Sequence, residues 1–107
     1  MMKAVKVRVG LNPEIVDIPN ELHALQKEVG GYIETIPTPI GTDSAVIICN
    51  EEGRLLGLEP NRHAGNGLAF NDVIFGDFLI VGTAGEEFCG LTQQQAVSYC
   101  ELYRRMK

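Results

Sequence analysis

Two segments near the start of the sequence alternate between apolar and polar side chains. From Lys3 to Val9 the valines occupy every second position, with Lys6 and Arg8 between them, and this period of two is typical of a strand with one covered face. Residues Glu14 to Ile18 alternate in a similar way. Because turn-forming residues separate the two segments, the pattern predicts a β-hairpin.

Two segments have apolar residues at helical spacing instead. In the first, Leu22, Leu25 and Val29 follow the N-cap candidate Asn20, and Gly30-Gly31 supplies a left-handed stop. The second begins after a capping box formed by Thr92 and Gln95. Its apolar face is Ala96, Val97, Cys100 and Tyr103. The spacing predicts two helices.

The remaining apolar runs are short enough to be strands. They are Tyr32–Ile36, Ala45–Cys49, Val73–Phe75 and Phe78–Val81. The run Ala45–Cys49 is continuous, which favours a central strand covered on both faces. Asn50–Gly53 predicts a turn with a return strand at Arg54–Leu56, and Gly57–Gly67 has the composition of a long irregular loop.

Strands joined by short turns outnumber the helices, and there is no strand–helix–strand alternation. We therefore predict an α+β domain: a mostly antiparallel sheet with two helices packed on one face. Its size and its composition, 107 residues with 45% hydrophobic and 21% charged, fit one domain spanning residues 1–107.

The charge balance disfavours general nucleic-acid binding. A net charge of −5 repels a phosphate backbone, and the basic cluster at Arg104, Arg105 and Lys107 falls in the last turn of a predicted helix, where it complements the helix dipole. The acidic residues are scattered, which also disfavours a DNA mimic.

The cysteines and the hydropathy pattern favour a cytoplasmic protein. Cys49, Cys89 and Cys100 are odd in number and widely spaced, which is typical of free thiols in a reducing compartment. No apolar run approaches the roughly 18 residues of a membrane span, and charges interrupt the first residues before a signal-peptide core forms. We expect no membrane association.

Several strings of residues, taken together, resemble a known family. They are Leu25–Glu34, Ile48–Arg54, Gly57–Arg62 and Gly76–Gly82. In this order they resemble the domain-of-unknown-function 3846 family, small proteins found in phages and mobile elements of bacteria. The resemblance implies a mobile-element origin, and it implies no settled activity or catalytic residue. After Arg62 the family has a more acidic, Asp-rich loop, whereas this chain has His63 to Gly67.

Asn61, Arg62 and His63 form the first candidate ligand site. A guanidinium binds phosphate or carboxylate through two parallel hydrogen bonds, an imidazole gains or loses a proton near neutrality, and the glycines that follow allow close backbone approach. This combination indicates an anion site. The alternative is a surface loop in which Arg62 pairs with Glu51 or Glu59.

Two other segments offer ligand contacts. Asn50 and Glu51 present an amide and a carboxylate that suit ribose hydroxyls, or they simply shape a hairpin turn. Tyr32, which follows two glycines, offers an aromatic face for stacking on a base, or it is an ordinary sheet tyrosine after a helix stop.

We predict no catalytic residue, metal or cofactor. The spacing of His23 and His63 relative to the cysteines does not favour a Cys–His pair with an orienting group, nor does it fit known metal-ligand patterns. The segment Gly65-Asn66-Gly67 lacks the later glycine of a dinucleotide-binding loop.

The leading functional hypothesis is a non-enzymatic phage or mobile-element accessory protein. It would bind and sequester a small anionic ligand, such as a nucleotide immune signal of the host, and so act against host defence. The alternatives are a protein-interaction module that inhibits a host enzyme and a small nucleotide hydrolase. Because a deep pocket is hard to build in so small a core, we expect the site at a subunit boundary in a homo-oligomer.

Overall fold

An antiparallel sheet organises the fold. The computed structural model describes residues 1–40, 43–63 and 73–106. The elements in chain order are β1 (Met2–Val7), β2 (Glu14–Ile18), α1 (Leu22–Val29), β3 (Ile33–Pro37), β4 (Ala45–Asn50), β5 (Pro60–His63), β6 (Val73–Phe75), β7 (Phe78–Ala84), β8 (Glu87–Cys89) and α2 (Gln93–Arg105). The main sheet has the order β2-β1-β7-β4-β3, with β8 paired to β7, while β5 and β6 form a separate pair. Every strand pair in these described ranges is antiparallel, which confirms the predicted α+β class.

The central strands β1, β7 and β4 bury apolar side chains on both faces, and each face has its own helix. The side chains that pack with α2 are Val5, Val7, Ala45, Ile47, Cys49, Phe78 and Ile80. Those that pack with α1 are Ala4, Ile48, Leu79 and Val81. The prediction that both helices pack on one face is therefore wrong. Because successive strand residues point to opposite sides, strands that are apolar throughout need a cover on each side.

Local sequence signals placed several element ends correctly. The β1–β2 hairpin forms with Ala4 opposite Val16. Thr92 caps α2, since its hydroxyl accepts a hydrogen bond from the Gln95 amide and the Gln95 side chain accepts one from the Thr92 amide. This is the predicted capping box.

Helix α1 begins one residue later than its capping signal indicates. Glu21 is the N-cap and makes no side-chain cap bond. The predicted cap, Asn20, donates from Nδ2 to the carbonyl oxygen of Phe88 at 2.8 Å and so ties the helix entrance to β8. At the other end, Gly30 stops the helix in the predicted left-handed conformation, with φ of 80°.

Residues 51–57 form successive turns, so the return strand predicted at Arg54–Leu56 is absent from this described segment. The Leu56 amide donates to the Glu52 carbonyl at 2.8 Å, and the Leu58 amide donates to the Gly53 carbonyl at 3.0 Å. These local bonds fold the segment on itself, and β4 pairs with β3 instead. A strand appears later, at β5, inside the segment predicted to be irregular, and residues 64–67 of that segment lie outside the described residues.

The carboxylate of Asp43 fastens the segment before β4 to α2. It accepts hydrogen bonds from the Tyr99 hydroxyl at 2.7 Å, from Gln95 Nε2 at 2.7 Å and from the Ser44 amide at 3.0 Å. The Thr38 hydroxyl lies 2.9 Å from that of Tyr99. Burial acts to raise the pKa of Asp43, but the hydrogen bonds from Gln95, Tyr99 and Ser44 outweigh it and hold the pKa below its ordinary value.

We expect the Asp43→Asn variant to lose part of the pH dependence of stability. Because the pKa of Asp43 is lower in the folded chain, its ionised form stabilises the fold above the unfolded pKa of about 3.9. This contribution disappears as the pH falls through the folded pKa. Urea unfolding at about pH 7 and about pH 3 should therefore give a smaller difference in free energy for the variant than for the native chain. Equal differences would show that other carboxylates carry the acid dependence.

Candidate functional site

Asn61, predicted to bind a ligand, holds the small β5–β6 sheet against the main sheet. Its Nδ2 donates to the carbonyl oxygens of Val7 and Gly76, both at 2.9 Å. Val7 ends β1, and Gly76 joins β6 to β7. The side chain therefore bridges two segments that are distant in sequence.

Arg62 is buried, with 4% of its surface exposed, and its guanidinium donates hydrogen bonds to several segments of the chain. Its Nε donates to the Tyr103 carbonyl at 3.2 Å, in the last turn of α2, and its Nη2 donates to the Leu11 carbonyl at 2.7 Å. Its Nη1 donates to the Arg8 carbonyl at 3.2 Å and to Asn61 Oδ1 at 2.8 Å. One guanidinium thus connects β5, the β1–β2 loop and α2.

These contacts leave Arg62 poorly placed to bind an anion. Burial lowers the pKa of its guanidinium from the ordinary value, and an anion would have to displace carbonyl oxygens that already accept its hydrogen bonds. The alternative partners fail as well, because the ion pairs of the described residues include neither Glu51 nor Glu59 with Arg62. His63 is exposed at the end of β5, beside a cavity of about 330 Å³. A ligand role for these residues stays a prediction.

Tyr32 and Asn50, the other predicted contacts, come together at a groove of about 470 Å³ between α1 and the turns after β4. Its lining residues are His23, Gln26, Lys27, Gly30, Gly31, Tyr32, Asn50, Glu52 and Leu56. The groove falls in the range of about 300–1,000 Å³ that small-molecule sites occupy. Tyr32 lines the groove, and 67% of its surface is exposed to solvent.

Two glycines, Gly30 and Gly31, are among the residues that line this groove. Gly30, at positive φ, turns the chain out of α1. A Cβ at Gly31 would lie 2.9 Å from Asn50 Nδ2, so a larger residue would displace the side-chain amide of Asn50. Glycine at both positions brings Tyr32 close to the end of the helix.

Asn50, with 5% of its surface exposed, joins the two walls. Its Nδ2 donates to the Val29 carbonyl at 3.1 Å, in the last turn of α1, and its Oδ1 accepts from the Glu52 amide at 2.8 Å. The neighbouring Glu51 amide donates to the Tyr32 carbonyl at 2.8 Å. Asn50 therefore positions the groove, and Glu52 rather than the predicted Glu51 lines it.

The model of one protein family matches residues 2–104 of this chain, which is nearly its whole length. That family is described as a domain of unknown function, DUF3846. The chain belongs to the DUF3846 family. The match confirms the resemblance to this family. The family's description assigns no activity to its members. Comparison of the DUF3846 chain with curated proteins and with solved structures gave no match.

Besides Glu52, four side chains that line the DUF3846 groove were not predicted: His23, Gln26, Lys27 and Leu56. His23, Gln26 and Lys27 lie three and four residues apart, so they share one face of α1. The spacing of His23 and Lys27, just before Gly30, was a signal that could have placed them beside Tyr32. Leu56 was missed because its segment was predicted to be a strand.

A second cavity, of about 250 Å³, lies on the α2 side of the sheet and shares Asn50 with the groove. Cys49 is among its lining residues, and its Sγ lies 3.8 Å from Glu34 Oε1. Burial, together with the charge of Glu34, raises the pKa of the Cys49 thiol to about 12. A thiol with so high a pKa is a poor nucleophile, so this cavity is the weaker candidate.

All three cysteines are free thiols, as their spacing predicted. Within residues 1–40, 43–63 and 73–106, no group of three or more His, Cys, Asp or Glu side chains is arranged to hold a metal ion. Neither helix is long and apolar enough to cross a membrane. The groove beside Tyr32 is therefore the candidate site of this DUF3846 protein.

Proposed function

We propose that this DUF3846 protein binds and sequesters a small anionic ligand that carries an aromatic ring, the class to which nucleotides belong, in the groove beside Tyr32. The observation that carries the proposal is an exposed aromatic ring that lines the same groove as the Lys27 ammonium and the His23 imidazole. It replaces the predicted loop at Asn61, Arg62 and His63 as the centre of the hypothesis.

The ring of the ligand stacks on Tyr32. The backbone of this residue is fixed on both sides, since its carbonyl accepts from the Glu51 amide at 2.8 Å and the preceding Gly31 amide donates to the Gln26 carbonyl at 3.0 Å. Stacking of a base on an aromatic side chain is worth about 1–3 kcal/mol and tolerates different bases. Leu56, 58% exposed in the same groove, adds apolar contact.

The charged part of the ligand lies toward α1. Lys27 supplies an ammonium group, and His23 supplies an imidazole that can hydrogen-bond to the ligand. Glu52 on the opposite wall accepts hydrogen bonds from hydroxyl groups, as carboxylates do for ribose in nucleotide sites. The α1 wall of the groove thus offers the positive charge of Lys27, opposite the carboxylate of Glu52, on a chain whose net charge is −5.

The finer proposal is a phage or mobile-element accessory protein that withholds a nucleotide immune signal from host defence. Its support is the mobile-element origin that the sequence resemblance implies, together with the high pKa of the Cys49 thiol, which disfavours nucleophilic chemistry at that residue. Incubation with a cyclic dinucleotide should return it unchanged. Appearance of a hydrolysed product would favour the hydrolase alternative instead.

Titration calorimetry with three probes tests the core of the proposal. Adenosine 5′-monophosphate contains both recognised parts, adenosine lacks the phosphate, and ribose 5-phosphate lacks the ring. We expect the complete nucleotide to bind more tightly than either fragment. Absence of heat with all three probes at millimolar concentration, and with a cyclic dinucleotide, would contradict nucleotide binding.

We expect Tyr32→Ala to weaken nucleotide binding by about 5- to 150-fold, the equivalent of the 1–3 kcal/mol of one base–aromatic stack. Calorimetry with the same nucleotide measures the change, and Tyr32→Phe is the matched control because it keeps the ring. Stability should hardly change, since the ring is exposed. Equal affinity of the alanine variant and the native chain would place the ligand elsewhere.

A further inference from the structure

The turn after β4 presents apolar side chains to solvent beside the groove. Leu55 is 85% exposed and adjoins Leu56 of the groove wall. Single exposed leucines are ordinary, but neighbouring exposed apolar residues with a polar surround mark interaction surfaces. We name residues 51–57 the apolar turn.

The apolar turn is held in place by hydrogen bonds and close packing. The Gly53 amide donates to the Asn50 carbonyl at 3.3 Å, and the Gly57 amide donates to the Arg54 carbonyl at 3.2 Å. A Cβ at Gly53 would lie 2.7 Å from the Phe75 carbonyl oxygen, so the turn sits directly on β6. A surface fixed before binding loses little conformational entropy when a partner docks.

Glu52 of the apolar turn and Lys27 of α1 carry opposite charges on the two walls of the groove. The turn also carries the carboxylate of Glu51 and the guanidinium of Arg54. The protruding Leu55 lies on the turn side of the groove, and the Lys27 ammonium lies on the α1 side. A surface that holds both halves of a complementary pair can pair with itself around a two-fold axis.

We infer that a second copy of this chain covers the groove in a two-fold dimer, with Leu55 of each copy at the groove of the other and Glu52 of each copy opposite Lys27 of the other. The dimer rests on these surfaces alone. Its further role, closing the exposed side of a ring stacked on Tyr32, rests on the proposed function. The binding site would then be completed by both copies.

Sedimentation velocity without nucleotide, at about 0.15 M salt, tests the dimer. At that ionic strength the Debye length is about 8 Å, so charge effects report local pairs. We expect a concentration-dependent dimer that Leu55→Asp converts to monomer. The control Val97→Asp, at an exposed position of α2 on the other side of the sheet, should leave the dimer unchanged.

Charge reversal tests the pairing between copies. Lys27→Glu alone and Glu52→Lys alone each place two like-charged pairs in the interface, so each should weaken self-association at least tenfold. Mixing the two variants restores opposite charges at both contacts, and heterodimers should form with nearly the native affinity. A contact within one copy cannot produce this recovery.

Three results would overturn the inference: a native chain that stays monomeric at all concentrations, a dimer insensitive to Leu55→Asp, or mixed variants that fail to associate. A different occupant, such as a host protein, would leave the isolated chain monomeric. Because no nucleotide is present, dimer formation and nucleotide binding can fail independently.

Discussion

Replacing Arg62 by alanine is expected to lower the free energy of unfolding by about 3–5 kcal/mol. The substitution leaves the carbonyl oxygens of Tyr103, Leu11 and Arg8 without the donor that now reaches them. Each buried polar group left unsatisfied costs about 1–3 kcal/mol. Urea unfolding at neutral pH, followed by circular dichroism, measures the change.

Two further variants identify the cause. Arg62→Lys keeps the charge, but one ammonium group cannot reproduce the fork geometry that joins three backbone segments, so an intermediate loss is expected. Arg105→Ala removes an exposed arginine at the end of α2 and should change stability by no more than about 0.5 kcal/mol. If Arg62→Ala proved as stable as Arg105→Ala, the stabilising role of the Arg62 hydrogen bonds would be contradicted, and a ligand role for Arg62 would regain support.

Asn50→Ala is expected to lower the free energy of unfolding by about 2–4 kcal/mol. The loss removes the donor to the Val29 carbonyl and the acceptor for the Glu52 amide. Because both groove walls depend on this one amide, nucleotide affinity should fall as well. Thermal unfolding and calorimetry on the same samples measure the two effects.

The matched control is Asn12→Ala, an exposed asparagine in the β1–β2 loop. It should stay within about 0.5 kcal/mol of the native chain and bind nucleotide normally. An Asn50→Ala variant with native stability would show that water replaces the amide. Native stability combined with lost binding would instead make Asn50 a direct ligand contact.

The strands were largely predictable because their alternation of apolar and polar residues is local in sequence. Which helix packs on which face of the sheet was not predictable in this way. Lys6 made the second face of β1 look solvent-facing. In the structure α1 lies over that face, and Lys6 is buried with its ammonium 2.9 Å from Glu28 Oε2. The apolar run Ala45–Cys49 was the better guide, because a strand covered on both faces requires a helix on each side.

The site was predictable in part for the same reason. Tyr32 follows two glycines, and this local signal predicted an accessible aromatic face; the structure places Tyr32 at the groove, 67% exposed, and its ligand role stays a prediction. The role of Arg62 could not be read from its neighbours, because its carbonyl partners at Leu11 and Tyr103 lie 51 and 41 residues away in sequence. The residues next to an arginine in sequence do not show whether its side chain is buried or exposed.

The position of β1 in the sheet has a consequence for how the chain folds. This strand lies between β2 and β7, with Lys6 opposite Leu79, so the middle of the sheet cannot assemble until β1 meets β7. Closing so long a loop costs entropy before the contacts form, and chains with such distant pairings fold slowly. The β1–β2 hairpin therefore cannot join the sheet until the segment that forms β7 has been synthesised.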